Sequence, residues 1–222
     1  FVSTFAMFAT GRAWEQIRNT ICYSNLNVKI AATHGGITVG EDGASHQALE
    51  DVSLMRSIPG MVVIVPADAK ETEEAVKFAS EYKGPVYIRI ARTNLPDMFD
   101  ENYKFDYEKA NVIKEGKDVT LVTNGETLVE TYDCAKMLYE KGIDAEVINI
   151  PVVKPLDTET IINSAIKTGK IITIENHSII GGLGSAVCEA VSEKYPVKIT
   201  RFGVNDEFGQ SGTAKELMKY YG

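Results

Sequence analysis

The sequence is poor in cysteine, histidine and tryptophan. Its 222 residues hold three cysteines, three histidines and one tryptophan. Cys22, Cys134 and Cys188 are odd in number, far apart, and form no Cys-x-x-Cys pair. A disulfide framework and a thiolate metal site are therefore not expected, and reduced thiols in a cytoplasmic protein are. No apolar run approaches the roughly 20 residues of a membrane helix, so no membrane association is expected. Basic residues are also in deficit. The 23 Lys and Arg stand against 31 Asp and Glu, a formal net charge of −8. A nucleic-acid partner would call for a basic patch and is not expected. The opening FVSTFAMFAT is apolar but lacks a basic start and an Ala-x-Ala site, so it does not read as a secretory signal. The chain starts inside that apolar segment, and residues upstream of Phe1 are expected.

What the sequence does hold is an alternation of buried strands and helices. Residues 1–23 read as a short entry followed by a helix, with Trp14, Ile17, Ile21 and Cys22 at helical spacing. Strands are predicted over Asn27–Ala32, Met61–Val65 and Pro85–Ile90, with helices over His46–Arg56 and Lys70–Tyr82, the latter capped by Asp68. Asn94–Tyr107 is polar, aromatic and without period, and reads as a linker. Beyond it, Ala110–Ile113 and Val119–Val122 flank Gly116–Lys117 as an apparent hairpin. Pro151 and Pro155 bracket a turn. Helices are predicted over Thr127–Lys141, Asp157–Lys167, Gly181–Lys194 and Thr213–Tyr221, and strands over Ala145–Ile150, Lys170–Ile174 and Val197–Phe202. The fold expected is α/β: two consecutive α/β domains with mainly parallel sheets, 1–96 and 108–222, joined by a linker at 97–107.

The chemistry concentrates in IAATHGGITVGEDGASHQ, residues 30–47. A glycine-rich polar loop after a buried strand lies where α/β folds place their sites. His34 and His46 can both face that crevice, donating hydrogen bonds to hydroxyl or phosphate oxygens or moving protons near neutral pH. The alternative is that each only satisfies backbone groups of a tight loop. His34, Asp42 and His46 are metal-ligand types, but no cysteine or third histidine is near, and no metal site is expected in this chain. The glycines match neither GxGxxG nor GxxxxGK[ST], and the loop carries no basic residue, so alone it is a weak phosphate cradle. Arg92, just past a strand, can supply a guanidinium to a phosphate on the same side as His34, or form a surface ion pair. Arg89 alternates differently, toward solvent or a neighbouring strand. Phe5 and Phe8 read as core packing or as an aromatic wall for a flat ring. Gly181–Gly184 open a helix and serve either helix–strand packing, a subunit contact, or an anion site.

Taken together, FAMF, THGGITVGEDGASHQALED, VPAD and IRIARTNLP resemble the pyrimidine-binding domain of transketolase and its thiamine-diphosphate relatives. INIPVVKPLD, ENHSIIGGLGSAV and FGQSGTAKEL resemble that family's C-terminal domain. The resemblance covers nearly the whole chain and looks most like the separate C-terminal subunit of two-gene transketolases. It implies that Phe5 and Phe8 stack on the cofactor's aminopyrimidine ring, that His34 and Arg92 hold a substrate phosphate, that Asp42 reads a sugar hydroxyl, and that His46 contacts the reacting end and moves protons. Gly11 stands where many relatives carry an aromatic. The catalytic glutamate of the family is expected upstream of Phe1. The cofactors implied are thiamine diphosphate and Mg²⁺, the metal and diphosphate being held by an N-terminal partner subunit. Self-association, sugar-phosphate substrates and a place in carbohydrate metabolism are further implications. So is inactivity of this chain alone. Related readings are a 1-deoxyxylulose-5-phosphate synthase-like chain, a 2-oxo-acid dehydrogenase β-like chain, and a non-catalytic assembly subunit.

Overall fold

Apolar runs bounded by glycine, proline and aspartate become the strands of two sheets in the computed structural model, which describes residues 1–222. The first sheet is built from β1 (Val2–Phe5), β2 (Lys29–Thr33), β3 (Val62–Ile64), β4 (Val86–Ile90) and β8 (Val152–Lys154), in the order β1-β2-β4-β3-β8. The second uses β5 (Asn111–Lys114), β6 (Val119–Thr123), β7 (Ala145–Asn149), β9 (Lys170–Ser178) and β10 (Lys198–Val204), in the order β10-β9-β6-β7-β5. Within each sheet the pairing is parallel except at one edge. There β8 runs antiparallel to β3, and β5 antiparallel to β7. The central strands β3, β6 and β7 are buried along their whole length, as strands covered on both faces must be.

The helices are α1 (Trp14–Gln16), α2 (Asp51–Arg56), α3 (Ala69–Glu81), α4 (Leu128–Glu140), α5 (Thr158–Thr168), α6 (Leu183–Lys194) and α7 (Ala214–Tyr221). Their caps follow the expected chemistry. Asp68 accepts from Glu71 N at 2.7 Å, Asp157 from Thr160 N at 3.1 Å, and Thr213 forms a reciprocal capping box with Glu216. The single turn of α1 is flanked by wider π-type turns over Phe8–Arg12 and Ile17–Cys22.

Five sequence readings are corrected. Residues 2–5, expected as a lead-in to a helix, form strand β1. The helix expected from His46 starts at Asp51. Gly36 N bonds Ala48 O, and His46 N and Gln47 N both bond Gly43 O, so residues 43–48 are committed to the loop. The hairpin across Gly116 does not form, because β5 and β6 lie on opposite sides of β7. The stretch between Pro151 and Pro155 is a strand rather than a turn. It crosses the expected division of the chain to pair with β3, with Ile64 opposite Val152 and Val63 opposite Lys154. Arg89, expected toward solvent or a neighbouring strand, turns instead into the interior.

The junction between the sheets is polar as well as apolar. Asp68 Oδ2 accepts from Met98 N and Phe99 N, which fixes the linker on the cap of α3. One turn on, buried Glu71 accepts from Ala67 N at 2.7 Å, the Tyr103 hydroxyl at 2.7 Å, Asn149 Nδ2 at 2.9 Å and Asn111 Nδ2 at 3.2 Å. Burial pushes its pKa up to about 7 against the pull of those donors.

Candidate active site

Four rings meet at the carboxyl ends of β1 and β2. Phe5 ends β1, and its ring lies 3.8 Å from the His34 imidazole, the planes 10° apart. Phe8, one turn on, lies nearly parallel to Phe5 at 5.9 Å. His46 meets both phenyl rings edge-on, at 6.1 Å from Phe5 and 5.4 Å from Phe8. The parallel register of β1 and β2, with Phe5 opposite Thr33, is what sets Phe5 beside His34. All four rings remain half-buried. Phe5 and Phe8 pack on each other and on the two imidazoles.

The polar side of the site follows from the loop. His34 adopts φ +62° and its Nδ1 lies 2.9 Å from Thr33 Oγ1. Ile37–Asp42 coil as tight helical turns broken at Gly40. Arg92 donates to Val39 O and lies 3.7 Å from Glu41 and 3.8 Å from Asp42. It therefore forms the ion pair named as its alternative role, and does so beside His34. Burial first, and then the Arg92 charge, lower the His34 pKa, while Asp42 opposes them. Burial and Arg92 thus both favour the neutral ring, and Asp42 the charged one. His46 Nδ1 is 2.9 Å from Ser45 Oγ. The structure thus gathers all six residues expected from the sequence: Phe5, Phe8, His34 and His46 as rings, and Asp42 and Arg92 beside them.

Sequence reasoning missed the residues beneath this wall. Arg89 is buried and donates to Asp51 at 2.9 Å, to Asn176 O at 2.8 Å and to Ala48 O. A Cβ at Gly35 would stand 2.2 Å from Arg89 Nε, and one at Gly36, itself at φ +82°, 2.4 Å from the Asn176 amide. The paired glycines are therefore required by close approach. Glu126, whose pKa burial raises, reaches Thr38 and Asn176 from the tight turn that precedes α4. Nothing local in NGETL marks this role. The ENH stretch lies three residues ahead of the glycine turn at 181–184, which was the one available hint.

That glycine turn is not a free anion site. The Glu175 carboxylate accepts from Leu183 N at 2.6 Å and Gly184 N at 2.8 Å, so the N-terminus of α6 is filled by the chain's own carboxylate. A Cβ at Gly182 would stand 2.0 Å from Glu175 Oε2. The glycines permit close packing, Gly181 against Ser53 of α2, Gly182 against Glu175 and Gly184 against Thr173. A cleft of about 530 Å³ lies between the sheets and α7, behind the loop, and none of the six residues lines it. No group of three or more His, Cys, Asp or Glu side chains is placed to hold a metal ion. No helix is long and apolar enough to cross a membrane.

Fold and site together define a chain of two α/β sheets of the kind found in the pyrimidine-binding and C-terminal parts of transketolases. Residues 1–98 match the family described as transketolase, pyrimidine binding domain, and residues 108–222 that described as transketolase, C-terminal domain. The chain belongs to the transketolase family. It is 48% identical over its whole length to a transketolase C-terminal section from Methanocaldococcus jannaschii, of which it covers 70%. It is 40% identical to an apulose-4-phosphate transketolase polypeptide from Phocaeicola vulgatus, covering 71% of that protein. Among solved structures, a split-gene transketolase described as an inactive β4 tetramer superposes with a TM-score of 0.94 at 52% identity. The match covers 99% of this chain and 70% of that one.

Proposed function

We propose that the chain is the C-terminal subunit of a split transketolase. With a diphosphate-binding partner subunit it transfers a two-carbon ketol group from a ketose phosphate to an aldose phosphate. The observation that carries this reading is the wall of Phe5, Phe8, His34 and His46 with Arg92 and Asp42 at its edge. A flat heteroaromatic ring fits two half-exposed, near-parallel phenyl rings, which suits the pyrimidine of thiamine diphosphate. When bound, that cofactor supplies the carbanion chemistry. In this reading Arg92 and neutral His34 hold the substrate phosphate, Asp42 accepts from a sugar hydroxyl, and His46 moves a proton at the donor's reacting end. The residues present offer no site for Mg²⁺, and no step is assigned to it; the partner subunit is its holder in this proposal. Self-association and a cytoplasmic setting complete it.

The test is turnover by the full-length chain combined with a diphosphate-binding partner. Xylulose 5-phosphate with ribose 5-phosphate is compared with pyruvate and glyceraldehyde 3-phosphate. Ketol transfer in the first pair is expected, and turnover of the pyruvate pair alone overturns the proposal in favour of a deoxyxylulose-phosphate synthase. A complex that binds no thiamine diphosphate makes the chain an assembly subunit. His46→Ala is expected to lower turnover about a hundredfold or more while leaving cofactor affinity nearly intact.

A further inference from the structure

Asn176 belongs to β9 of the second sheet, yet its side chain serves the loop of the first. Its Oδ1 accepts from Ile37 N at 2.9 Å. Its Nδ2 donates to Thr38 Oγ1 at 3.2 Å and to Glu126 Oε1 at 2.5 Å. The same Glu126 oxygen accepts from the Thr38 hydroxyl at 2.8 Å. Asn176 and Glu126 are both buried, at the wall of the cleft between the sheets. The four groups close a small network, and Arg89 steadies it by donating to the Asn176 carbonyl.

The network holds the loop next to its working end. Asn176 pins Ile37 and Thr38. The next residue, Val39, offers its carbonyl to Arg92, and Arg92 in turn faces Asp42. A shift at residues 37–38 would therefore move the guanidinium and the carboxylate together. Phe5 and Phe8 are carried by β1 and the turn after it, and their ring contacts are with each other, His34 and His46.

We propose that Asn176, oriented by Glu126, is a positioning residue through which the second domain sets the geometry of substrate-phosphate recognition. The proposal rests on the reading of Arg92 and Asp42 given under Proposed function. It assigns the second domain a part in the reaction through side chains that hold the loop from behind.

The test uses the full-length chain with its partner subunit. Asn176→Ala is expected to raise KM for xylulose 5-phosphate about tenfold, the effect of losing one or two buried hydrogen bonds, with kcat within about twofold and thiamine-diphosphate affinity unchanged. Asn176→Asp keeps the acceptor for Ile37 N but sets a second carboxylate against Glu126, and is expected to be at least as impaired. Adding Glu126→Gln restores a donor–acceptor pair, so the double variant is expected to recover most of the loss. Thr173→Ala serves as control, being equally buried on the same strand with no hydrogen-bond partner. Amide hydrogen exchange gives a readout independent of activity. Residues 36–42 should exchange faster in Asn176→Ala, while the two sheets stay protected. Unchanged KM and unchanged loop exchange in both single variants overturn the proposal. So does an Asn176→Asp defect that Glu126→Gln fails to relieve, or an equal defect in Thr173→Ala. If the wild-type pair turns over no ketose phosphate, the functional reading falls instead, and loop exchange still decides whether the network holds the loop.

Discussion

His34 combines a left-handed backbone, a phenyl ring stacked on its imidazole and a guanidinium nearby. The first is permitted because the residue is followed by two glycines in a tight loop. Burial and the guanidinium favour the neutral ring. In a folded chain its imidazole should titrate below the ordinary value of about 6.5, followed by the ring-proton shift in NMR. Arg92→Ala should move the midpoint up, since it removes the second cause of the depression. Asp42→Asn should move it down, since Asp42 is the charge that favours the imidazolium. At this scale the site was largely legible. His34, Asp42 and His46 share one glycine-rich loop, and Phe5 and Arg92 lie at or just past strand ends of the same sheet. Arg89 was not legible, because its partner Asp51 lies on another element and period-two alternation cannot see across to it.

At the scale of elements, the loop 35–42 is held from behind by the last helix. Leu217 of α7 is buried with Ile37, Leu49 and Val204. Leu217→Ala should destabilise the protein by about 2–4 kcal/mol, read from denaturant unfolding, and should loosen the loop more than either sheet. Gln47 adds to this hold, donating to Ile37 O, Gly40 O and Gln210 O. Existence and type were legible for the long helices and the buried strands, whose periods and caps agree. The misread elements are the ones whose partners are far away. β1 and β8 are short edge strands, defined by pairing rather than by pattern. The false hairpin had good local turn chemistry, but β7 provided a better partner for both of its strands.

At the scale of the whole molecule, Glu71 links the stability of the junction to pH. Its folded pKa of about 7 lies above its unfolded value near 4.5. The native state then holds that proton more tightly. The contribution is fully present below about pH 4.5, falls as pH rises toward 7, and is lost above it. The change amounts to about 3 kcal/mol, at about 1.4 kcal/mol for each unit of pKa displacement. Glu71→Gln should flatten this part of the stability profile between pH 5 and 8, measured by denaturant unfolding. The sequence could not disclose this group, since its donors Tyr103, Asn111 and Asn149 come from the linker and from two strands of the other sheet.

The strand β8 also sets a schedule for the chain as it is made. β1 to β4 are complete once Ile90 has been synthesised, but the open edge of β3 has no neighbour until Lys154 emerges. At about 5–20 residues per second, that edge waits several seconds on the ribosome with unpaired backbone groups. A nascent chain arrested within residues 110–150 should therefore carry a sticky, unfinished first sheet, and release of the chain past residue 154 should close it.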